Sequence, residues 1–222
     1  MITCLADLET YKRLRNHPKW GFIIYRCDYR DDTVWAHFME RWSHQVNELL
    51  IRQNERQLIK NLEWTVREDR DVLDGATVED VRDLFTAWTK TDEAVAERQA
   101  AIDLYILGSP RYHFCVHVDA KALNECLRFD LLPKDTQLEY WFKTRDPALG
   151  HAPYVNIVEM VVEVGGASQY EDEEDSEEEE KAISIKVHWR SAIPDIYNSL
   201  NQTADAFQRM ARDVDQDGVH AE

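Results

Sequence analysis

A run of alternating ligand-type side chains, His113, Cys115 and His117, is the sharpest chemical signal in the sequence. On a β-strand, alternate side chains face the same side roughly 6.5–7 Å apart, and zinc binds imidazole and thiolate groups at about 2.0–2.3 Å. One strand therefore offers two ligands to a metal easily and three only with distortion. A fourth ligand, such as His188, would have to come from another strand. Histidines that are hydrogen-bonded within the protein, on a polar or helix-covered face of a sheet, explain the same pattern. We therefore expect no stoichiometric zinc.

A second metal pattern lies near residue 213, where Asp213, Asp215 and Asp217 precede Gly218. Carboxylates at loop positions one, three and five with glycine at six match the first half of a calcium loop. The bidentate glutamate of such loops has no counterpart, because Glu222 falls at loop position ten. We therefore interpret residues 213–222 as a flexible acidic tail.

A third group, Asp28, Asp31 and Asp32, lies where a predicted strand meets a predicted helix, and Arg26 lies within the apolar strand that precedes it. Paired carboxylates can divide acid and base roles, but helix capping also explains these aspartates. A buried arginine requires a carboxylate partner or an anionic ligand. A structural ion pair is the favoured interpretation of Arg26, and we also keep it as a candidate catalytic residue.

His113 and His117 are the other two catalytic candidates. Cys27 has no activating neighbour in the sequence, although catalytic partners can be distant along a chain. The sequence has no glycine-rich phosphate loop, G-x-S-x-G elbow or H-E-x-x-H motif, so we predict no cofactor.

The element that must position these residues is the segment from Trp20 to Tyr29, which predicts a strand with apolar side chains on both faces. It leads into the clearest amphipathic helix, which is expected to begin at Asp31 or Asp32 and to reach Gln53. The apolar stripe of that helix comprises Trp35, Phe38, Met39, Trp42, Val46, Leu49 and Leu50. On this stripe we expect Trp42 to be buried.

The remaining periodicities predict further elements along the chain. Helices are expected at 5–15, 78–88, 91–107, 120–127 and 194–212, and strands at 63–67, 111–119, 138–143, 154–164 and 182–190. Thr77 and Asp80 resemble a capping box, and the last two strands favour a hairpin. Helices segregated against a largely antiparallel sheet define a single α+β domain over residues 1–222. A ferredoxin-like or α+β-barrel arrangement is the expected topology.

The charge of the chain limits its partners. The 222 residues include 26 basic and 43 acidic side chains, for a net charge of -17. Nucleic acids and anionic membranes bind clustered Lys and Arg, so we expect neither as a partner. The cysteines, Cys4, Cys27, Cys115 and Cys126, are widely spaced and typical of reduced thiols. With no signal-peptide pattern at the N-terminus, the expected location is the cytoplasm or the nucleus.

The segment Glu171–Glu180 holds nine carboxylates in ten residues. Its like charges repel one another, and it has too few apolar side chains to offset the entropy of ordering. We expect residues 165–181 to form a disordered acidic hairpin loop. Such a loop can keep a protein soluble or recognise a basic protein surface. Ser176, followed by three glutamates, also resembles an acidophilic-kinase site.

One resemblance to a known family rests on the N-terminal third of the chain. The residues that carry it are Trp20-Gly21-Phe22-Ile23-Ile24-Tyr25-Arg26-Cys27-Asp28-Tyr29, then Asp32, Trp35 and Phe38. This W-G-F-x-x-Y-R strand with its acidic turn resembles a family of uncharacterised filamentous-fungal proteins, and the later segment 81–88 is compatible with it. The resemblance implies a fungal source and an intracellular setting, and it carries no catalytic residue.

Two functional interpretations follow from the sequence. The first is a non-enzymatic cytosolic protein that binds a protein partner or a small ligand. The alternative is an enzyme or ligand-binding protein with a cleft over the sheet, in which Arg26, His113 and His117 act. The oligomeric state is left open.

Overall fold

Strands and helices alternate along most of the chain in the computed structural model, which describes residues 14–15, 18–102, 109–132, 134, 153–161, 183–200, 205–213 and 219–220. The strands are β1 (Ile23–Arg26), β2 (Thr65–Arg67), β3 (Phe114–Val118), β4 (Tyr154–Glu159), β5 (Ser184–His188) and β6 (Val219–His220). The α-helices are α1 (Asp32–Arg52), α2 (Arg70–Leu73), α3 (Val78–Trp88), α4 (Asp92–Ile102), α5 (Ala120–Asp130), α6 (Tyr197–Leu200) and α7 (Ala206–Arg212). Short 3-10 segments span Arg56–Asn61 and Pro110–Tyr112, and a π-helical turn spans Ala192–Ile196.

The strands form one mixed sheet in the order β2-β1-β3-β4-β5-β6. β1 pairs in parallel with β2 and with β3, and β5 pairs in parallel with β6. The β3–β4 and β4–β5 pairs are antiparallel. The predicted α+β class is confirmed, and so is the β4–β5 hairpin pairing. The sheet is mixed, whereas a largely antiparallel sheet was predicted. The chain crosses over through helices between β1 and β2 and between β2 and β3, so all three strands run in the same direction.

The described strands make an open sheet, with β2 and β6 at its two outer edges. This differs from the barrel that was one expected arrangement, since a barrel joins its first and last strands. It also differs from a ferredoxin-like sheet, since β1 lies between two parallel neighbours. Strand order depends on which strands are adjacent in space, and periodicity along the chain does not carry that information.

β1 is covered on both faces, as its sequence predicted. Phe22 and Ile24 belong to the larger core, which contains the buried stripe of α1, part of α5 and the C-terminal helices. Ile23 and Tyr25 belong to a second core, formed with α3 and the start of α4. β1 thus contributes side chains to both cores, as β3 and β4 also do.

Helix α1 begins and ends at recognisable caps. The Asp31 carboxylate accepts from the backbone N–H of Thr33 at 2.8 Å and of Val34 at 3.3 Å. At the other end Asn54 has a φ of 62°, and the N–H of Glu55 donates to the Leu50 carbonyl at 2.7 Å. This is a Schellman-type termination. The predicted span and the burial of Trp42 are both confirmed.

Several predicted boundaries differ from those observed. β3 starts only at Phe114, because the preceding Pro110–Tyr112 forms a 3-10 turn. The predicted helix 194–212 is divided into the π-helical turn, α6 and α7, and Ile193 has an extended backbone. Val219–His220 pairs with β5 as a short strand where a flexible tail was predicted. The predicted strand 138–143, the loop 165–181 and the helix 5–15, apart from its last two residues, lie outside the described residues.

Candidate functional site

Arg26 ends β1 and is buried among aromatic and acidic side chains, with 6% of its surface exposed. Its Nε donates to the Asp28 carbonyl oxygen at 3.0 Å, and Nη2 contacts the Asp32 carboxylate. The guanidinium carbon lies 4.4 Å from the Tyr29 ring centroid and 5.3 Å from that of Trp35. Ion pairing together with cation–π contact holds the group in place. Arg26 therefore joins the end of β1 to the start of α1.

The aspartates near Arg26 are also engaged within the fold. Asp28 accepts two bonds from the Arg30 guanidinium, at 2.7 and 3.0 Å. The hydrogen bond from Arg30 holds the pKa of the Asp28 carboxyl below its usual range, although burial acts in the opposite direction. Asp31 caps α1, as the capping interpretation predicted, and Asp32 pairs with Arg26. These carboxylates thus serve as cap and ion-pair partners.

His117 lies on the other face of the sheet, beneath the turn before α3, with 2% of its surface exposed. Its Nδ1 is 3.0 Å from the amide nitrogen of Asn156, and its Nε2 is 2.9 Å from the Ala76 carbonyl oxygen. The Ala76 carbonyl oxygen accepts from the ring at Nε2, and the Asn156 amide donates to Nδ1. Both ring nitrogens are used to tie β3 to β4 and to this turn.

The three candidate catalytic residues are not brought into one site. Arg26 contacts Trp35 of the larger core, whereas His117 lies beside Asn156 and Ala76 on the opposite face. His113 precedes β3 and is exposed. A cleft over the sheet that contains all three side chains is therefore not formed.

The zinc candidates do not form a ligand set, although Cys115 and His117 share one face of β3. Cys115 is fully buried in the second core, and this burial raises the pKa of its thiol well above the usual value. His188 accepts from the Arg190 backbone N–H through Nδ1 at 3.2 Å. Across the described part of the chain, no group of three or more His, Cys, Asp or Glu side chains could hold a metal ion. Of the calcium candidates, Asp213 follows α7, and Asp215 and Asp217 lie outside the described residues.

The cysteines that the structure describes are free and buried. Burial, with the nearby charges of Asp119 and Asp80, raises the pKa of Cys27 to about 12. Burial also raises the pKa of Cys126 well above its usual value. Since the thiolate is the reactive form, these thiols are poorly suited to nucleophilic chemistry at neutral pH.

A buried polar network around Arg111 was missed by the sequence analysis. Arg111 is 1% exposed. It donates to the Gly21 carbonyl at 3.2 Å, to Thr65 Oγ1 at 2.9 Å and to the Glu97 carboxylate at 3.2 Å. Glu97 also accepts from Lys19 Nζ at 2.8 Å. The network joins the amino ends of β1, β2 and β3 to α4, and its only sequence signal is an arginine close to an apolar strand.

A second missed cluster connects α1 to α5. Asp130 accepts from Arg41 at 2.9 and 3.1 Å, and His37 Nε2 lies 3.3 Å from the same carboxylate. The cluster borders a small crevice of about 10 Å³ with mainly apolar walls, including Phe38 and Trp189. His37 and Arg41 are one turn apart on α1, so this arrangement pins the two helices together.

No family model matches the sequence, and no similar chain was found among curated proteins or solved structures. Within the described ranges, no helix has both the length and the apolar character needed to cross a bilayer. What the chain can do must therefore be inferred from its own geometry and charge.

Proposed function

We propose that the chain is a non-enzymatic binding protein that recognises a basic protein surface. The observation that carries this proposal is a set of exposed carboxylates after β1 and β2. Because β1 and β2 are parallel, the segments that follow them both lie beyond the carboxyl ends of the strands, on the same side of the sheet's end. We call this set the acidic edge, and it consists of Asp31, Asp32, Glu68, Asp69, Asp71 and Asp74.

The basic side chains near the acidic edge leave it negatively charged. Arg30 pairs with Asp28 at 2.7 Å, and Arg70 lies 3.7 Å from Asp74. Arg26 is buried and contacts Asp32. Asp69 and Asp71 remain exposed without an ion pair among the described residues. With a net charge of -17 and nine further carboxylates in 171–180, a basic partner is electrostatically favoured.

The placement of two of the three candidate catalytic residues, Arg26 and His117, supports binding rather than catalysis. A general acid or base must be able to reach a substrate proton. Arg26 and His117 instead direct their polar atoms to partners inside the fold.

An intracellular setting, in the cytoplasm or nucleus of a fungal cell, is part of the proposal.

The test is binding of a short lysine-rich peptide of defined sequence, measured by calorimetry at low and at physiological salt. Replacing the carboxylates of 171–180 by amides should weaken binding about tenfold, and D69N/D71N about threefold, because rim charges act mainly through long-range attraction. The matched control is E79Q/D83N, which removes two exposed carboxylates of α3.

The control should change the affinity by less than about twofold. If the parent chain fails to bind the peptide at low salt, the proposal is wrong. It is also wrong if E79Q/D83N weakens binding as much as D69N/D71N does, since affinity would then follow net charge alone.

A further inference from the structure

A depression beyond the carboxyl end of α1 has the opposite charge to the rest of the chain. It is open to solvent and has a volume of about 630 Å³. Three cations, Arg15, Arg56 and Lys60, line it, and the single carboxylate among its described lining residues is Glu55. We call this depression the basic basin. In a chain of net charge -17, such a reversal of sign identifies a surface that attracts anions.

The one carboxylate of the basic basin is already satisfied. Glu55 is 4% exposed. One of its oxygens accepts from Arg15 Nε at 3.1 Å and from the Gln57 amide at 2.9 Å, and the other accepts from Arg15 Nη2 at 2.5 Å. Burial alone would raise the pKa of Glu55, but these hydrogen bonds lower it below its ordinary value. Glu55 therefore stays ionised and neutralises Arg15.

Arg56 and Lys60 supply the remaining positive charge. Both are exposed, they stand four residues apart on the 3-10 segment, and neither forms an ion pair with any residue that the structure describes. The amides of Gln53 and Asn54 also line the depression and add neutral hydrogen-bond donors. The basic basin thus presents donors and two uncompensated cations.

Arg56 and Lys60 are not needed to offset the negative end of the dipole of α1. The last carbonyls of α1 are capped by the backbone N–H groups of Gln53, Asn54 and Glu55. The basic residue in the last turn of α1 is Arg52, which lies 3.9 Å from Glu48. Arg56 and Lys60 lie beyond the helix, where the field of its dipole has largely decayed.

We propose that the basic basin binds a small, multiply charged phosphoryl anion. Guanidinium groups match phosphoryl oxygens with paired hydrogen bonds, and ammonium groups bind them as point charges. Two uncompensated cations suit a compact anion rather than a nucleic acid, whose binding uses many phosphate contacts. This inference does not depend on the proposed recognition of a basic surface, since the two involve different surfaces and opposite charges.

The experiment is calorimetric titration of the full chain with inorganic tripolyphosphate at low ionic strength. The parent chain should bind saturably, and R56Q/K60Q should weaken binding about tenfold or more, because it removes both uncompensated charges. The matched control is K121Q/K134Q, which removes two exposed lysines elsewhere on the chain. This control should bind within about twofold of the parent.

Two outcomes would overturn the proposal. One is a parent chain that does not bind tripolyphosphate at low salt. The other is that R56Q/K60Q and K121Q/K134Q weaken tripolyphosphate binding equally. Binding would then depend only on the net charge of the chain. Thermal unfolding of both variants without ligand should match the parent, because the exchanged side chains are exposed.

Discussion

At the scale of single residues, Gly21 is the position where the backbone is most tightly confined. Its φ is 103°, and an added Cβ would lie 3.0 Å from both the Glu63 carbonyl oxygen and Leu62 Cδ1. Beside it, Trp20 accepts from the Glu63 N–H at 2.8 Å, and Arg111 donates to the Gly21 carbonyl. The glycine therefore permits the close approach of two backbones just before β1.

We expect Gly21→Ala to destabilise the fold more than Gly75→Ala. Both glycines have positive φ, but nothing lies within 4 Å of a Cβ added at Gly75. The second variant should cost about 1 kcal/mol for backbone strain alone, and the first at least about 1 kcal/mol more. Urea unfolding of the two variants measures the difference directly. Equal losses would mean that the contact with Glu63 is not limiting.

Trp42 supports a second residue-scale prediction. It is fully buried, and its ring centroid lies 5.5 Å from that of Phe38 and 5.2 Å from that of Trp64. Trp42→Ala should lower the free energy of unfolding by about 3–5 kcal/mol, through lost burial and a residual cavity. Glu40→Ala, at an exposed position on the same helix, should change it by less than about 0.5 kcal/mol.

Trp42→Phe separates packing from hydrogen bonding. The indole N–H of Trp42 is buried and has no hydrogen-bond partner among the residues that the structure describes, so its removal relieves a desolvated donor. This variant should therefore lose far less stability than Trp42→Ala. A urea midpoint for Trp42→Ala equal to that of the parent would contradict the assigned packing of α1.

At the scale of elements, the helices were predictable where local signals agreed. α1 combines a continuous apolar stripe with an aspartate cap, and α3 opens with the predicted capping box. Strand order and the Arg111 network were not predictable, because their interactions are distant along the chain. Arg111 lies 90 residues from Gly21 and 46 from Thr65. The candidate site residues Arg26 and His117 were correctly placed in strands. Alternation along each strand did not reveal that their hydrogen-bond partners lie on opposite faces of the sheet.

The capping box of α3 gives an element-scale prediction. Thr77 Oγ1 accepts from the backbone N–H of Asp80 at 3.2 Å. Thr77→Ala should lower the free energy of unfolding by about 1 kcal/mol, because a helix-terminal N–H loses its partner. Thr77→Ser keeps the hydroxyl and should retain most of the stability.

The same substitution should change a titration. Hydrogen bonds from Thr77 lower the pKa of the Asp80 carboxyl. In Thr77→Ala one of these bonds is lost, so the pKa of Asp80 should rise toward its ordinary value, which carboxyl-carbon NMR measures. An unchanged pKa together with unchanged stability would show that the box contributes nothing.

At the scale of the whole molecule, several buried or half-buried carboxylates are stabilised as anions. The pKa values of Asp28, Glu55 and Glu97 are all lowered. For Glu97, burial alone would raise the pKa, but the hydrogen bond from Lys19 and the charge of Arg111 outweigh it. Asp28 pairs locally with Arg30, but Glu55 pairs with Arg15 and Glu97 with Lys19, 40 and 78 residues away, so ionisation of these two glutamates is coupled to tertiary structure.

This coupling predicts that the protein loses stability in acid. Each carboxyl has a lower pKa in the folded chain than in the unfolded one, so the unfolded state binds more protons as pH falls. Their contribution is complete above the ordinary carboxyl pKa, 3.8 for Asp28 and 4.5 for Glu97, and is lost as pH falls through the lowered values. The free energy of unfolding should therefore begin to fall near pH 4.5 and continue to fall below it.

Glu97→Gln tests the origin of this acid sensitivity. The amide cannot titrate and leaves the buried Arg111 guanidinium without its ionic partner, so at neutral pH the variant should be less stable by about 2 kcal/mol. On acidification the parent loses the Glu97 contribution while the variant has none to lose. The difference in the free energy of unfolding between parent and variant should therefore shrink between about pH 5 and pH 3, in urea unfolding measured at each pH.

The control is Glu40→Gln, which neutralises an exposed carboxylate of α1. Its stability should stay close to that of the parent at every pH. A gap between parent and Glu97→Gln that stays constant across this range would rule out Glu97 ionisation as a source of the acid sensitivity.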